Sequence, residues 1–141
     1  MRIAVVDGQG GGIGRAIVER LRAELGERIK ILALGTNALA TSLMLKAGAD
    51  EGASGENAIV VNAPKVDVIV GSVAILAANA MLGELTPRMT EAIANSPAIK
   101  LLLPLNRCRL LVVGTRTEPL PVYIDELAQF VKELLEGKKN L

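Results

Sequence analysis

Short apolar runs alternate along the chain with stretches whose apolar positions recur every three or four residues, the signature of strands followed by helices. Ile3-Ala4-Val5-Val6 reads as a buried parallel strand closed by Asp7. From Ile13 the spacing of Ile17, Val18, Leu21 and Leu25 predicts a helix that Gly26 stops. Ile29 to Leu34 forms a second strand ending at Gly35-Thr36-Asn37. Asn37 is placed to cap a helix whose apolar positions include Leu39, Leu43 and Met44 and which Gly48 ends. Ala49 to Ala53 gives a short third strand, and Val66 to Val70 a central one.

Between these two strands, Asn57 to Ala63 is contested. Ile59, Val60 and Val61 favour a strand. Only Pro64-Lys65 separate the segment from the next strand, too short for a parallel crossover, so it is read as a helix ended by Pro64 and capped by Ser54. Val73 to Leu82 reads as a helix that is apolar almost all round, and Thr86-Pro87 opens another with Met89 and Ile93 inward. Ile99 to Leu103 and Leu110 to Val113 read as strands. The short connection Pro104 to Arg109 makes the second of them an antiparallel edge strand. A terminal helix starting near Pro121 buries Ile124, Leu127, Val131 and Leu134, and Gly137 stops it.

This order predicts one Rossmann-like domain over residues 1–141: a doubly wound, mostly parallel α/β sheet with helices on both faces and an antiparallel edge strand. In such sheets ligands sit at the carboxyl ends of the strands. There, between the first strand and the first helix, lies the run Gly8-Gln9-Gly10-Gly11-Gly12-Ile13-Gly14. A glycine-rich strand-to-helix turn presents backbone N–H groups and the positive end of a helix at one place, which suits phosphate. The common dinucleotide spacing G-x-G-x-x-G is met in no register, because Ile13 and Arg15 stand where glycine is required. The spacing that fits is G-x-x-x-G-x-G, on Gly8, Gly12 and Gly14. The candidate binding residues are Asp7, Gly8, Gln9, Gly10, Gly11, Gly12, Ile13 and Gly14, joined at the strand ends by Thr36, Asn37, Gly71, Ser72 and Asn106. The competing reading is a tight turn that needs glycine only for positive φ and close helix–strand packing.

Composition narrows the function further. Half of the residues are hydrophobic, yet there is no Trp, one Tyr and one Phe, so the core is aliphatic and no platform exists for stacking bases. A net charge of +1 without a basic run leaves no footprint for nucleic acid. The single Cys excludes an internal disulfide framework and fits a reducing cytoplasm. No signal peptide is recognised at the N-terminus. The apolar stretch Val66 to Gly83 is interrupted by Asp67, Gly71, Ser72 and Asn79, so no membrane partner is expected. With no His, the usual general base and metal ligand is missing. Cys108 stands between Arg107 and Arg109, neighbours that lower a thiol pKa, but a lone Cys is more often a small packing residue. Glu84 precedes Thr86-Pro87, either to act on a ligand or to sit favourably at a helix start. Asp50-Glu51 reads as a solvated turn rather than a metal site.

Two resemblances extend this reading. The segments Asp7 to Gly14, Ala33 to Asn37, Ala47 to Ala53 and Met81 to Pro87 resemble a family of short bacterial proteins catalogued as a domain of unknown function. That resemblance covers essentially the whole chain and implies a Rossmann-like fold in a cytoplasmic bacterial setting, with no activity to carry over. The first strand, glycine loop and first helix are also similar to the cofactor loop of short-chain dehydrogenases. That similarity implies NAD(P) and hydride transfer, but Leu127 stands where a Tyr-x-x-x-Lys pair on Tyr123 requires Lys, and no acid follows the second strand. The expectation is a small anionic ligand, a nucleotide foremost, bound without a recognisable catalytic constellation. An NAD(P)-dependent oxidoreductase and an assembly protein with a purely structural glycine loop are the alternatives. The all-round apolar helix over 73–82, or the sheet edge, predicts a homodimer.

Overall fold

In the computed structural model, which describes residues 1–105 and 109–139, five strands form one parallel sheet in the order β3-β2-β1-β4-β5. The strands are β1 (Arg2–Asp7), β2 (Lys30–Gly35), β3 (Glu51–Ser54), β4 (Val68–Ser72) and β5 (Ile99–Leu103). The helices are α1 (Gly12–Leu25), α2 (Ala38–Ala47), α3 (Glu56–Asn62), α4 (Pro87–Asn95) and α5 (Leu120–Leu135). β1 lies at the centre, with Val5 opposite Ala33 of β2 and opposite Val70 of β4.

The alternation of side chains along β1 explains the layers. Ile3 and Val5 face one way and pack with Ile17, Val18 and Leu21 of α1, Met44 of α2, and Ile124, Leu127 and Val131 of α5. Ala4 and Val6 face the other way, against Ile59 of α3, Ile75, Leu85, and Met89 and Ile93 of α4. A sheet covered on both faces needs apolar residues at nearly every position, which is why β1, β2 and β4 read as continuous runs. The order reverses between β1 and β4, so the switch point of the sheet falls at the end of β1.

Most sequence-predicted elements are present, including the contested segment. Residues 56–62 are helical, followed by a short 3₁₀ turn at Ala63–Lys65, although Gly55 rather than Ser54 occupies the cap position. Asn37 caps α2 by accepting the Ala40 N–H at 2.8 Å. The face of α2 differs from expectation: Ala40, Thr41 and Met44 are buried, while Leu39 is exposed.

Two expectations are corrected. Residues 110–113 form no strand, so among the described residues the sheet has no antiparallel edge and β5 is its edge on that side. Thr115 closes a turn here by donating both its N–H and its hydroxyl to the Val112 carbonyl, and Gly114 bends the chain at φ 92°. That turn leaves Leu111 and Val113 at 74% and 98% exposure instead of in a ladder. Residues 73–82 are not one helix either. A single 3₁₀ turn, Val73–Leu76, starts from the Ser72 cap and gives way to an irregular loop through Leu85. In this loop Asn79, Met81 and Leu82 adopt left-handed backbone, and Asn79 N–H donates to the Leu85 carbonyl at 2.7 Å. The long apolar helix that pointed to a dimer is therefore absent, and Ala74, Ile75, Ala80 and Leu85 bury within the chain. Among the described residues, no helix is long and apolar enough to cross a membrane.

At the end of the sheet away from the glycine loop, Arg22 ties three segments together. Its guanidinium donates to the Gly48 carbonyl at 3.0 Å, the Gly26 carbonyl at 2.5 Å and the Asp50 carboxylate at 2.8 Å. Asp50 also accepts the Ile31 N–H of β2 at 2.7 Å. Partial burial disfavours the Asp50 anion, but the Ile31 N–H and the Arg22 guanidinium outweigh it and hold the carboxyl below the usual range. A depressed folded-state pKa means that this contribution is complete above the ordinary carboxylate value and fades as pH falls through the folded one. Asp50→Asn should therefore cost about 1–2 kcal/mol near neutrality, reduced by partial solvent access. The gap from wild type should narrow below about pH 4. Urea unfolding of both proteins from pH 7 to pH 3 measures this, and a gap that stays constant with pH would contradict the assignment.

Candidate functional site

The site is organised by Asp7, the last residue of β1, which is only 5% exposed. A carboxylate there needs donors, and the loop supplies them: Gly8 N–H donates to Oδ1 at 2.8 Å and Gly14 N–H donates to Oδ2 at 2.6 Å. The sequence places Asp7 beside the proposed phosphate site, where it would repel a diphosphate unless it met a ribose hydroxyl or a metal ion. The structure turns its charge inward, onto the backbone at both ends of the loop. Between these ends the chain makes a tight turn, with Gly11 N–H donating to the Gly8 carbonyl at 2.9 Å. Gly11 then adopts left-handed backbone (φ 74°) as the cap residue of α1.

The glycines of the run divide into two kinds. At Gly14 a Cβ would come within 2.8 Å of Asp7 Cβ and 2.7 Å of Met44 Sδ. At Gly11 it would stand 2.7 Å from Ala40 Cα, and at Gly8 it would strike Thr36 Oγ1 and Met81 Sδ. These three are glycine because the chain packs against them. Gly10 and Gly12 are different: a Cβ on either would meet nothing within 4 Å among the described residues, and neither has positive φ. Both line a cleft of about 580 Å³ bounded by residues 7–13, Ser72, Ala74, Met81, Leu82 and Leu120.

Glu84 fixes the other side of the loop. Its Oε1 accepts the Gln9 N–H at 2.8 Å, the Thr36 hydroxyl at 2.5 Å and the Asn37 amide at 2.8 Å. Asn37 also donates to the Gln9 carbonyl at 3.0 Å. The Thr36 hydroxyl first, then the Gln9 N–H, hold the Glu84 carboxyl below its ordinary range against the opposing effect of partial burial. Glu84 is thus neither a ligand-facing group by itself nor a helix-start charge. It binds the 77–85 loop to the glycine loop and to the turn after β2. Nothing in the local sequence marks this role, because its partners lie 48 and 75 residues away.

The sequence-predicted site residues therefore separate. Asp7, Gly8, Gln9, Gly10, Gly11, Gly12, Ile13 and Ser72 line the cleft. Gly14 packs behind it. Thr36 and Asn37 face Glu84 and do not line the cleft. Gly71 is packed inside the sheet, where a Cβ would lie 2.8 Å from the Val6 carbonyl oxygen. Asn106, with Arg107 and Cys108, lies outside the described residues. Four residues that the sequence did not single out for binding, Ala74, Met81, Leu82 and Leu120, complete the described wall. Tyr123 lies away from the cleft, its hydroxyl donating to the Arg116 carbonyl and accepting the Glu118 N–H at 3.1 Å. Among the described residues, no group of three or more His, Cys, Asp or Glu is arranged to hold a metal ion.

Removing the Glu84 carboxylate frees three donors at once. Glu84→Ala should cost about 1–2 kcal/mol, the range for charge-assisted hydrogen bonds at a partly exposed group. It should also raise hydrogen exchange at the Gln9 amide while leaving β1 and β4 amides protected. Unchanged Gln9 exchange in the variant would contradict the bonding described.

A comparison with curated proteins gives no match. The model of one protein family matches residues 2–136, which takes in the glycine loop, every strand and every helix of the fold. The chain belongs to the family described as Domain of unknown function (DUF3842).

Proposed function

We propose that this chain is a ligand-binding domain whose cleft takes a small phosphate-bearing molecule of the nucleotide class on the backbone amides of Gly10, Gly12 and Ile13. The observation that carries this reading is the division of the glycines. Glycine in a helix costs roughly 0.5–1 kcal/mol relative to alanine. Gly12 opens α1, and among the described residues neither crowding nor backbone angle requires glycine at Gly10 or Gly12. A ligand that approaches the backbone closely does require it. The same three amides have no hydrogen-bond partner among the described residues, and they stand at the positive end of a helix. The cleft also falls at the switch point of the sheet, where α/β domains bind their ligands.

The oxidoreductase alternative gains no supporting observation, since Tyr123 is committed to Arg116 and Glu118. An assembly protein with a purely structural glycine loop accounts for Gly8, Gly11 and Gly14 but leaves Gly10 and Gly12 without a reason.

The test is thermal unfolding with a panel of nucleotides, dinucleotides and sugar phosphates. A micromolar ligand at millimolar concentration adds about 4 kcal/mol and should raise Tm by on the order of 10 °C. Gly12→Val should fold with a Tm close to wild type and lose that increase. A panel in which no phosphate compound moves the wild-type Tm would overturn the proposal.

A further inference from the structure

We infer that, on this phosphate-binding reading, the ligand carries a single phosphoryl group on a compact, largely apolar body, and that the cleft rejects dinucleotides. A dinucleotide lies across the point where strand order reverses and needs room on both sides of β1. Here one side is filled by the chain itself. Met81 Sδ and Glu84 Oε1 lie over Gly8, where an added Cβ would come within 2.7 Å and 3.1 Å of them, and Glu84 ties this loop to Thr36 and Asn37 beyond β2. Neither Thr36 nor Asn37 lines the cleft, whose walls among the described residues are the glycine loop, Ser72 and Ala74 at the end of β4, Met81 and Leu82, and Leu120 at the start of α5.

The donors that remain suit one phosphoryl group. Asp7 takes the amides of Gly8 and Gly14, and Glu84 takes that of Gln9. Gly10, Gly12 and Ile13 are left on the loop. Across the cleft stands Ser72, 4% exposed, whose Oγ accepts the Ala74 N–H at 3.2 Å while its own O–H has no acceptor among the described residues. Three amides and one buried hydroxyl match the oxygens of one phosphoryl group. The body of the ligand then meets Ala74, Met81, Leu82 and Leu120. Leu82 is 98% exposed in left-handed backbone, an apolar side chain that finds no cover within the chain.

Isothermal titration of the full chain with inorganic phosphate, phenyl phosphate, AMP, ATP and NAD distinguishes the outcomes. Phenyl phosphate and AMP should bind at least tenfold more tightly than inorganic phosphate, ATP or NAD. Leu82→Asp, a change at an exposed position whose backbone suits Asp better than Leu, should fold normally and weaken phenyl phosphate binding at least fivefold. ATP or NAD binding as tightly as AMP would overturn the single-phosphoryl inference and leave phosphate binding intact. Unchanged phenyl phosphate affinity in Leu82→Asp would overturn the apolar wall, and no binding by any of the five compounds would overturn both readings.

Discussion

A carboxylate at the end of a central strand cannot be left without donors, because an unpaired buried charge costs several kcal/mol. Asp7 is that group, and the glycine loop takes its shape from satisfying it. Gly8 donates from the start of the loop and Gly14 from the first turn of α1, so the two oxygens are held by backbone N–H groups one and seven residues further along the chain. This draws the beginning of α1 onto the end of β1, closely enough that Gly14 has no room for a side chain. The helix end is partly neutralised from behind, and Gly10, Gly12 and Ile13 on its outer side line the cleft.

Glu84 does the corresponding work at the outer rim. A loop rich in left-handed residues is costly for an ordinary chain, and besides Gly83 the non-glycine residues Asn79, Met81 and Leu82 adopt such backbone here. Three donors converging on one Glu84 oxygen, together with the burial of Ala80 and Leu85, offset that cost. The consequence reaches beyond stability. By fastening the 77–85 loop to the turn after β2, Glu84 fills one half of the crevice that a sheet of this topology offers and leaves the half beside β4 open.

On the reading proposed above, the chemistry of the open half is that of binding. Its walls combine backbone donors, one buried hydroxyl and apolar side chains, with a carboxylate already committed to the loop. Such a surface selects a ligand by the charge and size of its anionic group and by the apolar area behind it. The two open glycines and the three crowded ones make the same point from opposite directions: one set records how the chain packs on itself, the other the space kept for something else.

The sequence by itself determined the central strands, the helices around them, the α/β class and the place of the glycine loop, because these follow from local periodicity, caps and breakers. Asn37 before α2, Gly26 after α1 and Thr86-Pro87 before α4 act within a few residues of their own position. Even the contested helix over 56–62 was legible, since chain length alone forbids a parallel crossover in two residues. What only the tertiary structure decided are the features set by distant partners. Apolar residues 73–82 have the composition of a buried helix, yet the Glu84 tie to Gln9, Thr36 and Asn37 and the packing under α4 impose a loop. Residues 110–113 have strand propensity, yet Thr115 and Gly114 close a turn before any ladder forms. Which glycines serve packing and which border open space was equally invisible along the chain, because the answer lies in Met44, Ala40, Thr36 and Met81, residues that only the fold brings against the loop.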